Sequence, residues 1–179
     1  MHFPRNRNAW RWWREVRPTL VLAFPIMAGM VGHMLIGLAD TLMIGREGVV
    51  PLAAAAFVNA VAQVPMIFAI GLLSSVAVLA SQAYGANEAD EAGEVFRHGL
   101  VLAFGAGMLT LLVLVGLRPL LHLFGQPPEV VAASGTYLLL FGASLWPMMV
   151  GHAGKQYAEA LNHPWPPTVV VVGSVLLNV

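Results

Sequence analysis

Between Gly48 and Asn87 the sequence contains no Asp, Glu, Lys or Arg. The same is true from His98 to Leu117, from Val130 to Gly154 and from Ala160 to Val179. From Pro18 to Gly45 the one charged residue is Asp40. A helix needs about 20 mostly apolar residues to cross a hydrocarbon core, and these stretches supply them. They predict five segments, roughly 19–44, 53–82, 98–118, 132–154 and 166 to the end. Lipid cannot satisfy an open strand's backbone groups, and no ten-residue alternation suggests a barrel, so the segments are read as helices. The expected fold class is all-α, a polytopic transmembrane helical bundle of about five spans over residues 18–179. A basic and aromatic interfacial segment, 1–17, precedes it.

Composition agrees. Hydrophobic residues make up 58% of the chain and charged ones 10%, against about 45–50% and about 25% in soluble domains. A disordered chain, a basic nucleic-acid binder and an ordinary cytosolic enzyme are excluded on this ground. With no cysteine, so are a disulfide scaffold, a thiol nucleophile and a cysteine-ligated zinc site. No two histidines stand at i, i+4 with an acid between them, and no metal site is expected.

Lys and Arg set the orientation. Arg5, Arg7, Arg11, Arg14 and Arg17 precede the first segment. A cytoplasmic N-terminus puts these inside with Arg97 and Lys155, and leaves Arg46 and Arg118 outside, as the positive-inside rule requires. The acidic residues Glu88, Asp90, Glu91 and Glu94 carry little weight in that rule. Trp10, Trp12 and Trp13 interleave with Arg11 and Arg14, the pattern of a headgroup-level anchor. The apolar run after Arg17 is too long for the h-region of a cleaved signal, so it is read as a retained span in an inner (plasma) membrane.

Connections carry helix punctuation. Asn87 with Asp90 resembles a cap, predicting a short surface helix over about 88–97. Pro127-Pro128-Glu129 suits a helix start, and His163-Pro164-Trp165-Pro166-Pro167 breaks the chain before the fifth segment. From Pro166 to Val179 that segment gives about 21 Å of helix at about 1.5 Å per residue. The hydrocarbon core is about 30 Å thick, so the expectation is a piece of a longer protein.

Asp40 is the polar residue most in need of explanation. An acid inside a span costs about 2.5–3.5 kcal/mol at the centre and less near the interface, and usually faces a polar cavity. Burial disfavours a charged carboxyl, which makes Asp40 a candidate proton carrier, and a sodium site is equally compatible. His33 lies two turns earlier on the same face, where it either extends a proton path or simply hydrogen-bonds within the bundle. His152 has the same two readings. Asn59, Gln63, Ser74, Ser75, Gln82, Thr136, Ser144, Gln156 and Asn178 either join helices or line a cavity. Pro25, Pro65 and Pro147 interrupt spans and are candidate bending points, either to shape a cavity or to kink a packed helix. Gly29, Gly32 and Gly37, and Gly105 with Gly107, suggest close helix contacts. Met27, Met30, Met34, Met66, Met148 and Met149 are either an adaptable apolar wall or lipid-facing and packed residues.

Several short motifs, in order, resemble the start of a multidrug and toxic compound extrusion (MATE) transporter. They are Leu22-Ala23-Phe24-Pro25-Ile26, Gly37-Leu38-Ala39-Asp40-Thr41-Leu42-Met43-Ile44-Gly45 and Ser81-Gln82-Ala83-Tyr84-Gly85-Ala86. Phe124-Gly125-Gln126-Pro127-Pro128-Glu129-Val130 followed by Tyr137-Leu138 completes the set. The resemblance implies part of the N-lobe of a two-lobe, twelve-span antiporter, completed by C-terminal spans of the same protein. Such a protein exports drug-like, often cationic compounds in exchange for H+ or Na+ and uses no other cofactor. It implies that Asp40 and Asn178 take part in cation or proton coupling and that the first span bends at Pro25, while His33, Gln63 and Gln82 stand as candidates for the cavity or relay on their own polarity. His33 departs from the glutamine such a protein would carry there. A lipid-linked oligosaccharide flippase of similar architecture is the alternative, and the absence of Arg and Lys deep in the spans speaks against its basic cavity. A non-transporting membrane subunit is the third reading.

Overall fold

A computed structural model of the chain describes the backbone of residues 8–178 and the side chains of residues 16–17 and 19–177. It contains α1 (Asn8–Arg46), α2 (Val49–Gly85), α3 (Ala89–Leu117), a 3-10 segment (Arg118–Phe124), α4 (Pro128–Ala160) and α5 (Trp165–Asn178). No strand occurs among the described residues. The chain is an all-α membrane bundle. Four helical stretches, Thr19–Arg46, Val49–Gly85, Ala89–Phe124 and Pro128–Ala160, are long and apolar enough to cross a membrane, and Trp165–Leu177 is shorter. All five predicted segments are therefore helices. α1 starts within the basic segment, whose side chains at Trp10, Trp12, Trp13, Arg11 and Arg14 lie outside the described residues, as do Arg5 and Arg7.

The separate surface helix expected over 88–97 is absent, because those residues form the first turns of α3. Nothing there breaks the helix, and Phe96 stacks on Tyr157 of α4 with ring centroids 4.6 Å apart, which packs this stretch against the bundle. Nor does Asn87 cap α3. It closes α2 instead, in a left-handed conformation with φ 64°. The Glu88 N–H donates to the Ala83 carbonyl and the Asn87 N–H to the Tyr84 carbonyl, the paired bonds of a Schellman end. Asn162 ends α4 in the same way with φ 60°, His163 donating to Ala158 and Asn162 to Glu159. Asparagine tolerates this region better than other side-chain-bearing residues. Asn162→Ala is expected to lower stability by about 1 kcal/mol, read as a lower thermal midpoint in detergent, while Asn162→Gly holds it. As the sequence predicts, α4 starts at Pro128 with Glu129 in its first turn, and Pro166 and Pro167 fall in the first turn of α5.

Three helices, α2, α3 and α4, build the core. One layer joins Val58 and Ala62 of α2, Leu114 of α3, Leu121 of the 3-10 segment, and Leu138 and Leu145 of α4. A second is made of Ala69, Leu73, Ala103, Ala106, Met149 and Ala153, its four alanines small enough for close approach. Three glycines let backbones come together. A Cβ at Gly99 would lie 2.8 Å from Val76, one at Gly107 2.9 Å from the Trp146 Cα, and one at Gly142 3.1 Å from Leu111. Gly105, paired with Gly107 on sequence, meets nothing within 4 Å.

The remaining two helices pair with each other. Pro25, Gly29 and Gly32 of α1 are buried at the contact with α5, where a Cβ at Gly32 would lie 2.9 Å from Val171. Gly37, also read as a contact glycine, has open space around it. α1 touches α2, α2 packs on α4, α4 touches α5 and α5 packs on α1. Among the described residues α1 and α4 do not pack on each other. These four helices thus form a ring, and α1 and α4 face one another across it. α3 stands behind α2 and α4.

Candidate functional site

The exposed face of α1 is set by helical periodicity. Pro25, Gly29 and Gly32 take the face against α5, which leaves His33 and Asp40 together on an adjacent exposed face, two turns apart. Thr41, next to Asp40, donates its hydroxyl to the Gly37 carbonyl at 2.7 Å and so stays within its own helix. On α4 the half-buried Tyr137 and His152 answer these residues. Burial is the main influence on Tyr137 and His152, and the charges of Asp40 and His33 respectively reach them as a smaller one. The Nε2 of His152 also lies 3.4 Å from the Gln156 side-chain amide nitrogen, one turn on. Two antiparallel helices that do not pack together therefore each carry two polar side chains, exposed on α1 and half-buried on α4. An acid, a tyrosine and two imidazoles are groups able to accept, hold and pass a proton.

Other predicted residues are placed differently. Gln63 is exposed on α2, one turn beyond the equally exposed Asn59, and Gln82 is exposed near the end of α2. Neither makes a described contact with the Asp40 or His33 face. The side chain of Asn178 lies outside the described residues. Pro25 is buried, Pro65 half-buried and Pro147 exposed, and α1, α2 and α4 continue as helix through all three. Each proline lacks an N–H, so the carbonyls of Val21, Val61 and Ala143 lose their normal partners. Three of the hydroxyls read on sequence as possible helix glue serve their own helix. Ser74, Ser75 and Ser144 each donate three residues back, to Gly71, Leu72 and Phe141. Thr168, which the sequence did not single out, does bridge two helices. Its signal was a small hydroxyl residue directly after Pro166-Pro167, where a buried first turn has few partners. Tyr137 entered only as part of a motif. The apolar methionines divide, Met149 being fully buried and Met27, Met30 and Met34 exposed.

Behind the ring, α2 and α3 enclose an apolar groove of about 930 Å³ that includes Phe57, Pro65, Phe68, Leu109 and Thr110. Phe57 also meets Phe124 edge-on at 5.7 Å, which holds the 3-10 segment against α2. Among the described residues no group of three or more His, Asp or Glu gathers as a metal site.

Comparison with known proteins places this architecture. The family model described as MatE matches residues 25–179. The chain belongs to the MatE family. Among similar MatE relatives is a probable multidrug resistance protein NorM of Pseudomonas putida, 34% identical over 92% of this chain and 36% of that protein. A protein of the same name from Xylella fastidiosa strain Temecula1 is 33% identical over 94% of this chain and 36% of its own length. Another, from Rhizobium meliloti, is 27% identical over 93% of this chain. The chain thus spans 36% of the length of the first curated MatE relatives it matches. No solved structure matches it.

Proposed function

We propose that this chain is the N-terminal part of a proton- or sodium-coupled multidrug efflux antiporter that exports organic, often cationic, compounds. It sits in the inner (plasma) membrane as a multi-pass protein with its N-terminus on the cytoplasmic side, and C-terminal spans of the same protein complete its cavity. The observation that carries this reading is an acid, Asp40, on an exposed face of a membrane-length helix that is otherwise uncharged from Pro18 to Gly45, in a chain of the MatE family. Asp40 takes the coupling cation. A carboxylate suits both H+ and Na+. His33 and His152 extend the polar path, Gln63, Gln82 and Asn178 contribute to the cavity of the complete protein, and Pro25, Pro65 and Pro147 give α1, α2 and α4 their bending points. The names of the NorM relatives support the substrate class.

Inside-out vesicles from cells expressing the gene test this. With an acidic lumen generated by respiration, ethidium is expected to dissipate the proton gradient as it enters in exchange for H+, seen as recovery of a pH-sensitive dye. Sodium coupling instead gives ethidium uptake that depends on a sodium gradient. Vesicles in which neither gradient drives ethidium overturn the antiporter reading.

A further inference from the structure

Pro25 is held by a residue that neither motif nor charge pointed to. The Thr168 hydroxyl lies 2.9 Å from the Pro25 carbonyl oxygen on α1 and 2.8 Å from the Pro164 carbonyl oxygen one turn back. Thr168 is 7% exposed, so its proton has no ready alternative in water. A hydroxyl has one proton to donate, and here two carbonyls compete for it. The contact is close because Gly29 of α1 leaves room, a Cβ there lying 3.9 Å from the Thr168 oxygen. α1 is also softest at this point, since Pro25 cannot donate to the Val21 carbonyl.

We propose that Thr168 is a latch on the bending point of α1. With its hydroxyl on the Pro25 carbonyl it ties α1 to the first turn of α5 and keeps α1 in the continuous form described above. With its hydroxyl on the Pro164 carbonyl it lets α1 go, and no buried donor is left unpaired, which keeps the cost of release low. Asp40 stands 15 residues beyond Pro25, about 22 Å along the helix, so a bend at Pro25 swings Asp40 relative to Tyr137 on α4. Thr168 is thus a positioning residue for the coupling site. This consequence rests on the antiporter reading, whereas the latch itself does not.

The test uses the full-length protein in liposomes, cleared of any other cysteines and spin-labelled at Met43 and Leu123, both exposed. A 20° bend at Pro25 moves residue 43 by about 9 Å, well within the range of pulsed electron-spin distance measurement. Thr168→Val, which keeps the shape and removes the hydroxyl, is expected to add a second distance population, and Thr168→Ser to retain the wild-type distribution. Thr168→Ala reads the same arm if the valine variant does not fold. Unchanged distances in the hydroxyl-free variants overturn the latch, as does a serine variant that shifts as far as valine. Ethidium uptake by the same liposomes separates the two readings. A wild-type protein that transports nothing while Thr168→Val still shifts the distance supports the latch and removes its role in transport. Wild-type transport with unmoved distances overturns the latch alone.

Discussion

Cells expressing the Asp40→Asn variant are expected to lose drug resistance to the level of cells without the gene, with the protein still present in the membrane. Asparagine matches aspartate in shape and still hydrogen-bonds, but it carries no charge and takes up no proton at physiological pH. Any step that depends on a cation joining or leaving Asp40 therefore stops, while packing is nearly untouched because Asp40 lies on an exposed face of α1. Insertion does not suffer either, since removing a charge from a span lowers an insertion cost of up to about 3 kcal/mol. Asp40→Glu keeps the charge and shifts it by one methylene, so partial resistance is expected. Resistance and expression by immunoblot are read together. Normal resistance in the asparagine variant would remove Asp40 from the coupling site, and loss of the protein from the membrane would point to a structural role instead.

The second large effect is on stability and comes from two glycines that are two residues apart. Gly107→Val is expected to cost about 3 kcal/mol, and Gly107→Ala somewhat less. A Cβ at Gly107 would stand 2.9 Å from the Trp146 Cα and 3.4 Å from its carbonyl oxygen, so backbone rather than a flexible tip must move. Trp146 has little freedom to yield, because its ring packs edge-on to Phe104 with centroids 5.0 Å apart. Gly105→Ala is the control. Nothing lies within 4 Å of a Cβ there, and replacing a mid-helix glycine by alanine is expected to gain about 0.5–1 kcal/mol. Thermal midpoints in detergent should therefore move in opposite directions for Gly105→Ala and Gly107→Val. A Gly107→Val protein as stable as wild type would mean that α3 and α4 lie further apart than described.

Much of the fold could be read in advance, for a plain reason. Lipid forces each span to satisfy its own backbone, so a run of uncharged residues specifies both a helix and its approximate length. Proline at the starts of α4 and α5 was legible because proline tolerates the first turn of a helix and little else inside one. Asn87 was placed at the wrong end of a connection because Asn suits both a helix start and a left-handed helix end. Only the bonds from Glu88 to Ala83 and Asn87 to Tyr84 decide between them. Gly105 and Gly107 looked alike for a similar reason. Two residues turn the helix by roughly 200°, so one faces α4 and the other faces away, and sequence does not say which.

The candidate site residues divide along the same line. Asp40 was legible by itself, because an acid in an otherwise uncharged span needs a reason to be there. Its companions were not. Tyr137 lies about a hundred residues further on, and Thr168 is an ordinary hydroxyl until the fold sets it against Pro25. The sequence alone determined that this chain is a helical membrane protein and marked the acid in its first span, since both follow from what each residue costs in lipid. Which helix α1 leans on, and hence which groups Asp40 and Pro25 face, was decided only by tertiary structure. The reason is that helix pairing in lipid depends on close fit between particular surfaces, such as Gly29 and Gly32 against Thr168 and Val171, and a one-dimensional pattern does not record fit.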